Sequence, residues 1–393
     1  MKKAMRMHKA DVFIGLIVAG LMTAGLVIIY AIGPRVAQAE SGSAGDMSYF
    51  WHYAIFVGLA FAALVAGYFL PFEQQQKWAR AILWLGVILC VAVTILGKMG
   101  SSLVYCNLGA CRAFSVGFQP AELLKLGILF YTAGLITERK KQKKLEGQEF
   151  WIPIATMFVM TGVLIGWWQK DLGSTVVIFA MLTAMLFMAG VRGRYLAAVL
   201  LVMAAAAVIL VMSSEHRARR LASFSGDGDT YHIDNSLLGM GAGGLFGVGL
   251  GNSVQSTGYL PEALSDSIFS VIGEMWGFAG AILILALYLM LFLRMIKVAH
   301  KTQEEERSLF TIGVFAWILA HVILNVGGMT GLLPMKGITL PFLSYGGSSM
   351  LVLGFAVGDV LQLSRMTQRE EINEDTSSGG RQRRTRYASS RRS

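Results

Sequence analysis

An all-α integral membrane protein of about ten transmembrane helices is predicted by three features of the sequence: its apolar excess, the length of its apolar runs, and the placement of basic residues between them. Of its 393 residues 55% are hydrophobic and only 15% charged, and the mean hydropathy is +0.57, too apolar for an ordinary water-soluble chain of this length. Runs long enough to cross a hydrocarbon core lie near 12–32, 50–70, 81–98, 118–137, 152–168, 172–190, 195–213, 270–293, 308–328 and 342–363. The first follows MKKAMRMHK and reads as a retained helix rather than a removed signal peptide.

With residues 1–11 on the cytoplasmic side, the inside segments are 71–80, 138–151, 191–194, 294–307 and the tail from 364. They carry Lys77, Arg80, the ERKKQKK run, Arg192, Arg194, Arg294, Lys297, Lys301, Arg307 and eight tail arginines, whereas the alternate loops hold only a few basic residues. Both termini are therefore expected inside. The net charge of +10 follows from this topology, and nucleic-acid binding is not needed to account for it. Three parts result: a cytoplasmic N-terminus (1–11), a polytopic domain (12–363) with a large outside loop at about 214–269, and a polar, basic, disordered tail (364–393). Cys90 falls in an apolar run as packing. Cys106 and Cys111 share one outside loop, where a local disulfide is permitted but not dictated by spacing.

The large loop is the one outside segment able to build a site. Its GMGAGGLFGVGLGNS stretch lacks the Lys-Ser/Thr ending of a phosphate loop and has no strand before it. It reads as backbone that turns tightly or presses close to the membrane or to another helix. GYLPEALSDSIFSVIGE then brings three acids toward the eighth span. Pro261 suits a first helical turn, which would put Glu262 and Asp266 on one face at i,i+4, with Glu274 about two turns deeper. Glu262 is equally well a water-facing interface residue. Asp266 and Glu274 lead into the lipid zone, where an uncompensated charge costs several kcal/mol, so function or a buried ion pair is favoured.

Other polar residues inside or beside the spans point the same way. In FQPAELLKL, Glu122 and Lys125 at i,i+3 can pair with each other or bind a ligand together. Lys170 and Asp171 occupy a short outside turn, which could simply be a solvated tip. Asn325, Lys336, Ser344, Tyr345, Ser348 and Ser349 are interleaved with glycines and prolines at the outer ends of the last two spans, a pattern of broken helices lining a cavity.

GACRAF with FQPAELLKL, QKDLGS, GLGNSVQSTGYLPEALSDSIFSVIGE and GLLPMKGITLPFLSYGGSS, in this order from about residue 109 to the last span, resemble the motifs of the SEDS family (FtsW, RodA, SpoVE) of bacterial membrane peptidoglycan polymerases. The wording is closest to that of the division member, FtsW. Ala113, Lys170 and Leu264-Ser265 depart from the family pattern, while Arg112, Asp171 and Asp266 match it. The resemblance implies polymerisation of lipid II in the cytoplasmic membrane at the septum, with release of undecaprenyl diphosphate. Asp266 would be the catalytic base. Arg112, Gln119, Glu122, Lys125, Asp171, Glu262, Lys336, Ser344 and Tyr345 would bind substrate, with the cations Arg112, Lys125 and Lys336 facing the departing diphosphate. A divalent cation, Mg or Mn, could assist, although no ligand spacing demands a metal. Implied partners are lipid II, the undecaprenyl-linked glycan, a class B penicillin-binding protein and other division proteins. Two other classes fit the polar cavity: a lipid II flippase, and a noncatalytic divisome scaffold.

Overall fold

The computed structural model describes residues 10–42, 46–107, 110–115, 117–212, 230–334 and 337–366. The chain runs α1 (Val12–Ser41), α2 (Ser48–Phe69), the short α3 (Phe72–Lys77), α4 (Ala79–Lys98), the antiparallel hairpin β1 (Val104–Asn107) and β2 (Ala110–Phe114), then α5 (Pro120–Lys141). There follow α6 (Gln148–Thr161), continued by a π-helical segment Gly162–Trp168, α7 (Leu172–Met188), α8 (Gly193–Met212), α9 (Tyr231–Gly243), α10 (Ile268–Lys301), α11 (Glu305–Met329) and α12 (Gly347–Ser364).

Eight of these helical segments are long and apolar enough to cross a membrane, and the shorter apolar helices at 172–188 and 193–206 occupy the sixth and seventh expected runs. α5, α11 and α12 are largely buried, whereas α2, α4 and α10 turn large apolar side chains outward, as lipid-facing helices do. Helix contacts are closest at glycines. A Cβ on Gly67 would lie 2.3 Å from the Phe355 carbonyl oxygen and one on Gly358 would lie 2.1 Å from that of Leu64, so α2 and α12 touch backbone to backbone.

Ion pairs sort the connections into two ends. Arg294 with Asp11, Lys140 with Glu305, Arg192 with Glu146, Arg139 with Glu149 and Arg307 with Glu73 all join segments that the basic-residue pattern places on one side. The hairpin, the 169–171 turn, the 251–267 segment and the 337–346 loop meet at the opposite end, through contacts set out below.

The greatest departure from a regular bundle is α10. At about 1.5 Å per residue its 34 residues would extend roughly 50 Å, well beyond a hydrocarbon core of about 30 Å. It is broken at Gly277, whose φ of 69° and ψ of −166° belong to a region that only glycine adopts readily. The glycine-rich stretch fills the break. Phe278 N donates to Gly244 O (2.9 Å), Ala279 N to Leu245 O (3.0 Å), Val248 N to Glu274 O (2.9 Å) and Gly249 N to Met275 O (3.1 Å). This is the close backbone approach expected of the GMGAGGLFGVGLGNS residues, and it satisfies groups that a broken helix would otherwise bury unpaired. α9 leads into it beside the first limb of α10: Ser270 Oγ donates to Ser236 O (2.7 Å), and Gly243 abuts Gly273 and Glu274.

Candidate active site

The loop 337–346 lies at the centre of the second end, and its backbone is bound from several helices. Asn325 Nδ2 of α11 donates to Ile338 O (2.7 Å), and Tyr53 Oη of α2 donates to Leu343 O (3.0 Å). Tyr288 Oη of α10 donates to Pro341 O, and Ser344 Oγ accepts from Leu340 N (2.7 Å). Irregular backbone buried at this depth requires such partners, and each is supplied by an otherwise costly buried polar side chain.

Asp266 sits half-buried in the turn that enters α10. Its main chain is clamped from two sides: Asn325 Nδ2 also donates to Asp266 O (2.7 Å), and Tyr345 N donates to Leu264 O (2.8 Å). Its carboxylate lies against the 337–346 loop, since a Cβ on Gly337 would stand 2.8 Å from Oδ2. The helix expected over 262–266 does not form. Glu262 has a φ of 51°, the left-handed region, and residues 261–267 are a series of turns, so Glu262 and Asp266 do not share a helical face. Glu262 is exposed and accepts from Ser265 Oγ (2.8 Å).

Among the described residues Glu274 is neither part of this cluster nor in an ion pair. Its buried carboxylate accepts from Val254 N (2.7 Å), Gln255 N (3.3 Å) and Ser253 Oγ, which fastens the segment upstream of the Asp266 turn to α10. Backbone and hydroxyl donors suffice to hold a buried carboxylate, so no cation is required.

Beneath the loop, Glu122 and Lys125 form the expected pair at 2.7 Å, with Lys125 fully buried. Two groups from α11 complete its surroundings: His321 Nε2 at 3.3 Å and the Trp317 ring at 5.3 Å. An ammonium can only donate, so His321 accepts at Nε2 and carries its proton on Nδ1, which donates to Thr339 O (3.1 Å). The chain Glu122–Lys125–His321–Thr339 thus connects α5 to the loop that faces Asp266. Glu122 Oε2 is buried and has no hydrogen-bond partner among the described residues.

The third group is built on the hairpin. Cys106 and Cys111 are bridged, and the bridge seats on Gly97 at the end of α4, where a Cβ would lie 2.5 Å from Cys111 Sγ. The next residue, Arg112, donates from Nη2 to Lys170 O (2.7 Å) and from Nε to Gln169 O (3.3 Å). Lys170 has a φ of 55°. Asp171 is no solvated tip: it is buried, caps α7 through Oδ1 (Ser174 N, 3.0 Å), and accepts at Oδ2 from Gln119 Nε2 (3.1 Å). Gln119 N donates to Ser348 Oγ (3.2 Å), and Gly173 meets Ile338, so this group also borders the loop.

Ser344 is buried on the loop's own backbone, where it shapes the loop instead of lining a surface. Tyr345 is half-exposed and stacks on Tyr53 (6.1 Å between ring centroids). Lys336 lies outside the described residues. Among the described residues no three His, Cys, Asp or Glu side chains are grouped to hold a metal ion.

Three contributing residues, His321, His232 and Lys98, escaped the sequence reading, as did the part that Asn325 plays. His321 and the clamping role of Asn325 depend on contacts remote in sequence. His232 accepts no role from spacing, yet its Nε2 lies 3.2 Å from Pro261 O. Lys98, over the Trp168 ring at 5.3 Å, had one available signal, a lone cation at the outer end of the third span. An apolar cavity of about 650 Å³ opens between α6, its π-helical continuation, α7 and α8, lined by Trp151, Phe158, Trp167, Phe179, Tyr195 and Val199 among others.

A family model described as "Cell cycle protein", covering FtsW, RodA and SpoVE, matches residues 12–369. The chain belongs to this family. It is 32% identical over 355 residues to a probable peptidoglycan glycosyltransferase FtsW of Tolumonas auensis, covering 87% of this chain and 89% of that one. With the FtsW of Coxiella burnetii, also named a probable peptidoglycan glycosyltransferase, it shares 30% identity over 380 residues, 93% and 99% of the two chains. The FtsW/RodA/SpoVE fold is also seen in solved structures. A chain of a peptidoglycan synthase complex that coordinates polymerization and crosslinking superposes with a TM-score of 0.73 (23% identity; 91% and 98% covered). Thermus thermophilus RodA superposes with a TM-score of 0.67 (24% identity; 92% and 98% covered). The chain is a multi-pass membrane protein of this fold.

Proposed function

We propose that the protein is a peptidoglycan glycosyltransferase that polymerises lipid II during septal wall synthesis. The observation that carries the reading is Asp266: a half-buried carboxylate on a main chain clamped by Asn325, held against a fixed loop at the head of a span. The names of the FtsW relatives support the same reaction.

In this reaction a sugar hydroxyl attacks the anomeric carbon of a lipid-linked glycan. Asp266 takes the hydroxyl proton, the new glycosidic bond forms, and the bond from that carbon to the phosphate oxygen breaks, releasing undecaprenyl diphosphate. Rigid support keeps the base within reach of the reacting hydroxyl. Arg112 binds the carbonyl of Gln169, two residues after Trp167, which lines the apolar cavity. That juxtaposition suits a polyprenyl chain in the cavity and its diphosphate beside Arg112, with Lys98 and Lys170 adding positive charge nearby. Gln119 holds the Asp171 carboxylate beside the carbonyls that Arg112 binds. Glu122 and Lys125 sit deeper, where they brace the loop through His321.

The protein would lie in the bacterial cytoplasmic membrane with the Asp266 end outside and both termini inside. A class B penicillin-binding protein is its expected partner, a pairing supported by the fold's occurrence in a synthase complex.

The deciding experiment is glycan polymerisation from purified lipid II by the intact protein and by Asp266→Ala, with and without the transpeptidase. Strands from the first and none from a folded variant are expected. Equal synthesis by both sinks the assignment of the base. No synthesis but protein-dependent movement of lipid II across a bilayer would replace the polymerase by a flippase.

A further inference from the structure

We propose that the glycine-rich loop joining α9 to the Asp266 turn is a membrane-docking surface, which lowers Leu245 and Phe246 into the lipid on the Asp266 side and holds that turn at the bilayer surface. Residues 235–261 contain no charged side chain, although they lie in the largest extramembrane loop. Leu260 and Met240 pack with the core, but most of the segment's other apolar side chains do not. Phe246 is 83% exposed and Leu245 67%, and Leu238, Leu250 and Val254 are exposed with them. A cluster of this kind facing water would be unfavourable, so something apolar covers it.

The position of the loop identifies the cover as lipid. Gly244 O and Leu245 O accept from Phe278 N and Ala279 N, which fixes Leu245 and Phe246 level with the start of the second limb of α10. From that level the limb turns Phe278, Ile282, Leu283 and Leu289 outward as its exposed stripe. The exposed loop side chains are therefore continuous with a surface already in contact with hydrocarbon. Contacts of this type are non-directional, and the exposed set offers no charged group with which to select a protein partner.

The same backbone transmits the anchorage. Val248 and Gly249 are bonded to the Glu274 and Met275 carbonyls, and the Glu274 carboxylate grips Val254 and Gln255. Gln255 O accepts from Leu260 N (2.9 Å), and Pro261 O accepts from Ser267 Oγ (2.8 Å) on the far side of Asp266. An anchored loop thus sets the height of Asp266 above the bilayer, where a lipid-linked diphosphate is found; this last step rests on the proposed glycosyltransferase reading.

The test uses the full chain in nanodiscs of phosphatidylethanolamine and phosphatidylglycerol, with the environment-sensitive dye NBD on Phe246→Cys. The native cysteines do not compete, because Cys106 and Cys111 are bridged and Cys90 is buried. Ile282→Cys serves as the lipid reference and the exposed Gln142→Cys as the water reference. The dye at 246 is expected to match 282: blue-shifted, quenched several-fold more by nitroxide-labelled lipid than by iodide. Behaviour like that at 142 overturns the proposal, as does iodide access that disappears only when the transpeptidase is added, which would make the loop a protein-docking surface. This readout does not involve polymerisation, so it stands or falls apart from the enzymatic reading. In the activity arm, Leu245→Ser/Phe246→Ser is expected to lower glycan synthesis at least tenfold while the fold is retained. Unchanged synthesis would overturn the role in placing Asp266.

Discussion

Removing one member of the Glu122–Lys125 pair should damage the protein more than removing both. Lys125 is fully buried, 2.7 Å from Glu122, and Glu122 is only 2% exposed. In Lys125→Met the Glu122 carboxylate stays buried without its cation, a loss of about 3–5 kcal/mol. The hydrogen bond to His321 and the contact with the Trp317 face are lost as well; the second adds about 0.5–2 kcal/mol. Glu122→Gln leaves the ammonium without its counter-ion and should cost a similar amount. In the double variant both charges are gone and the volume is nearly kept, so most of the loss should be recovered, giving a coupling of roughly 5–8 kcal/mol. Unfolding from detergent micelles with increasing SDS, followed by tryptophan fluorescence, measures all four proteins. A cost below about 1 kcal/mol for Lys125→Met would refute the reasoning, because a desolvated pair cannot be broken so cheaply. Lipid II polymerisation on the same samples separates bracing from binding. If the stable double variant polymerises normally, the pair only supports the loop; if it is folded and inactive, the charges act on substrate.

Asn325→Ala removes both hydrogen bonds that hold Asp266 and Ile338 and leaves two carbonyls short of a donor, at about 1–3 kcal/mol each. Its expected signature is a loss in kcat with KM little changed, read from steady-state polymerisation. Cys106→Ser/Cys111→Ser opens a loop with a sequence separation of 5, for which chain entropy suggests about 2 kcal/mol, and differential scanning fluorimetry should report a lower midpoint with the fold retained. Gly277→Ala places a Cβ 2.4 Å from Gly247 N at a backbone conformation closed to alanine, so the glycine-rich stretch should detach from α10. Hydrogen exchange at the amides of Val248 and Gly249 should accelerate by an order of magnitude or more.

The apolar runs, the sorting of charged connections to one end and the Glu122–Lys125 pair were legible because each depends on residues close in sequence. The same holds for the broken backbone of 337–346, announced by its glycines and prolines. The break at Gly277 was not, since one glycine in an apolar run leaves the helical pattern intact, and the loop that fills it lies about thirty residues upstream. The helix expected over 262–266 failed for a related reason. Its periodicity was adequate, but Tyr345 and Asn325, distant in sequence, hold that stretch as a turn. His321 could not be matched to Lys125 either, across a separation of 196 residues. Cooperation between α11 and the 337–346 loop emerges only when the helices are packed.

Because the 337–346 loop takes its shape from side chains on α2, α10 and α11 together, it cannot reach that shape until those spans, inserted at widely separated times during synthesis, have come together. Asp266 is fixed by the same contacts. Competence is thus the last property the chain acquires, and a wrongly assembled molecule is silent rather than misdirected. Such ordering acts as quality control written into the polypeptide itself.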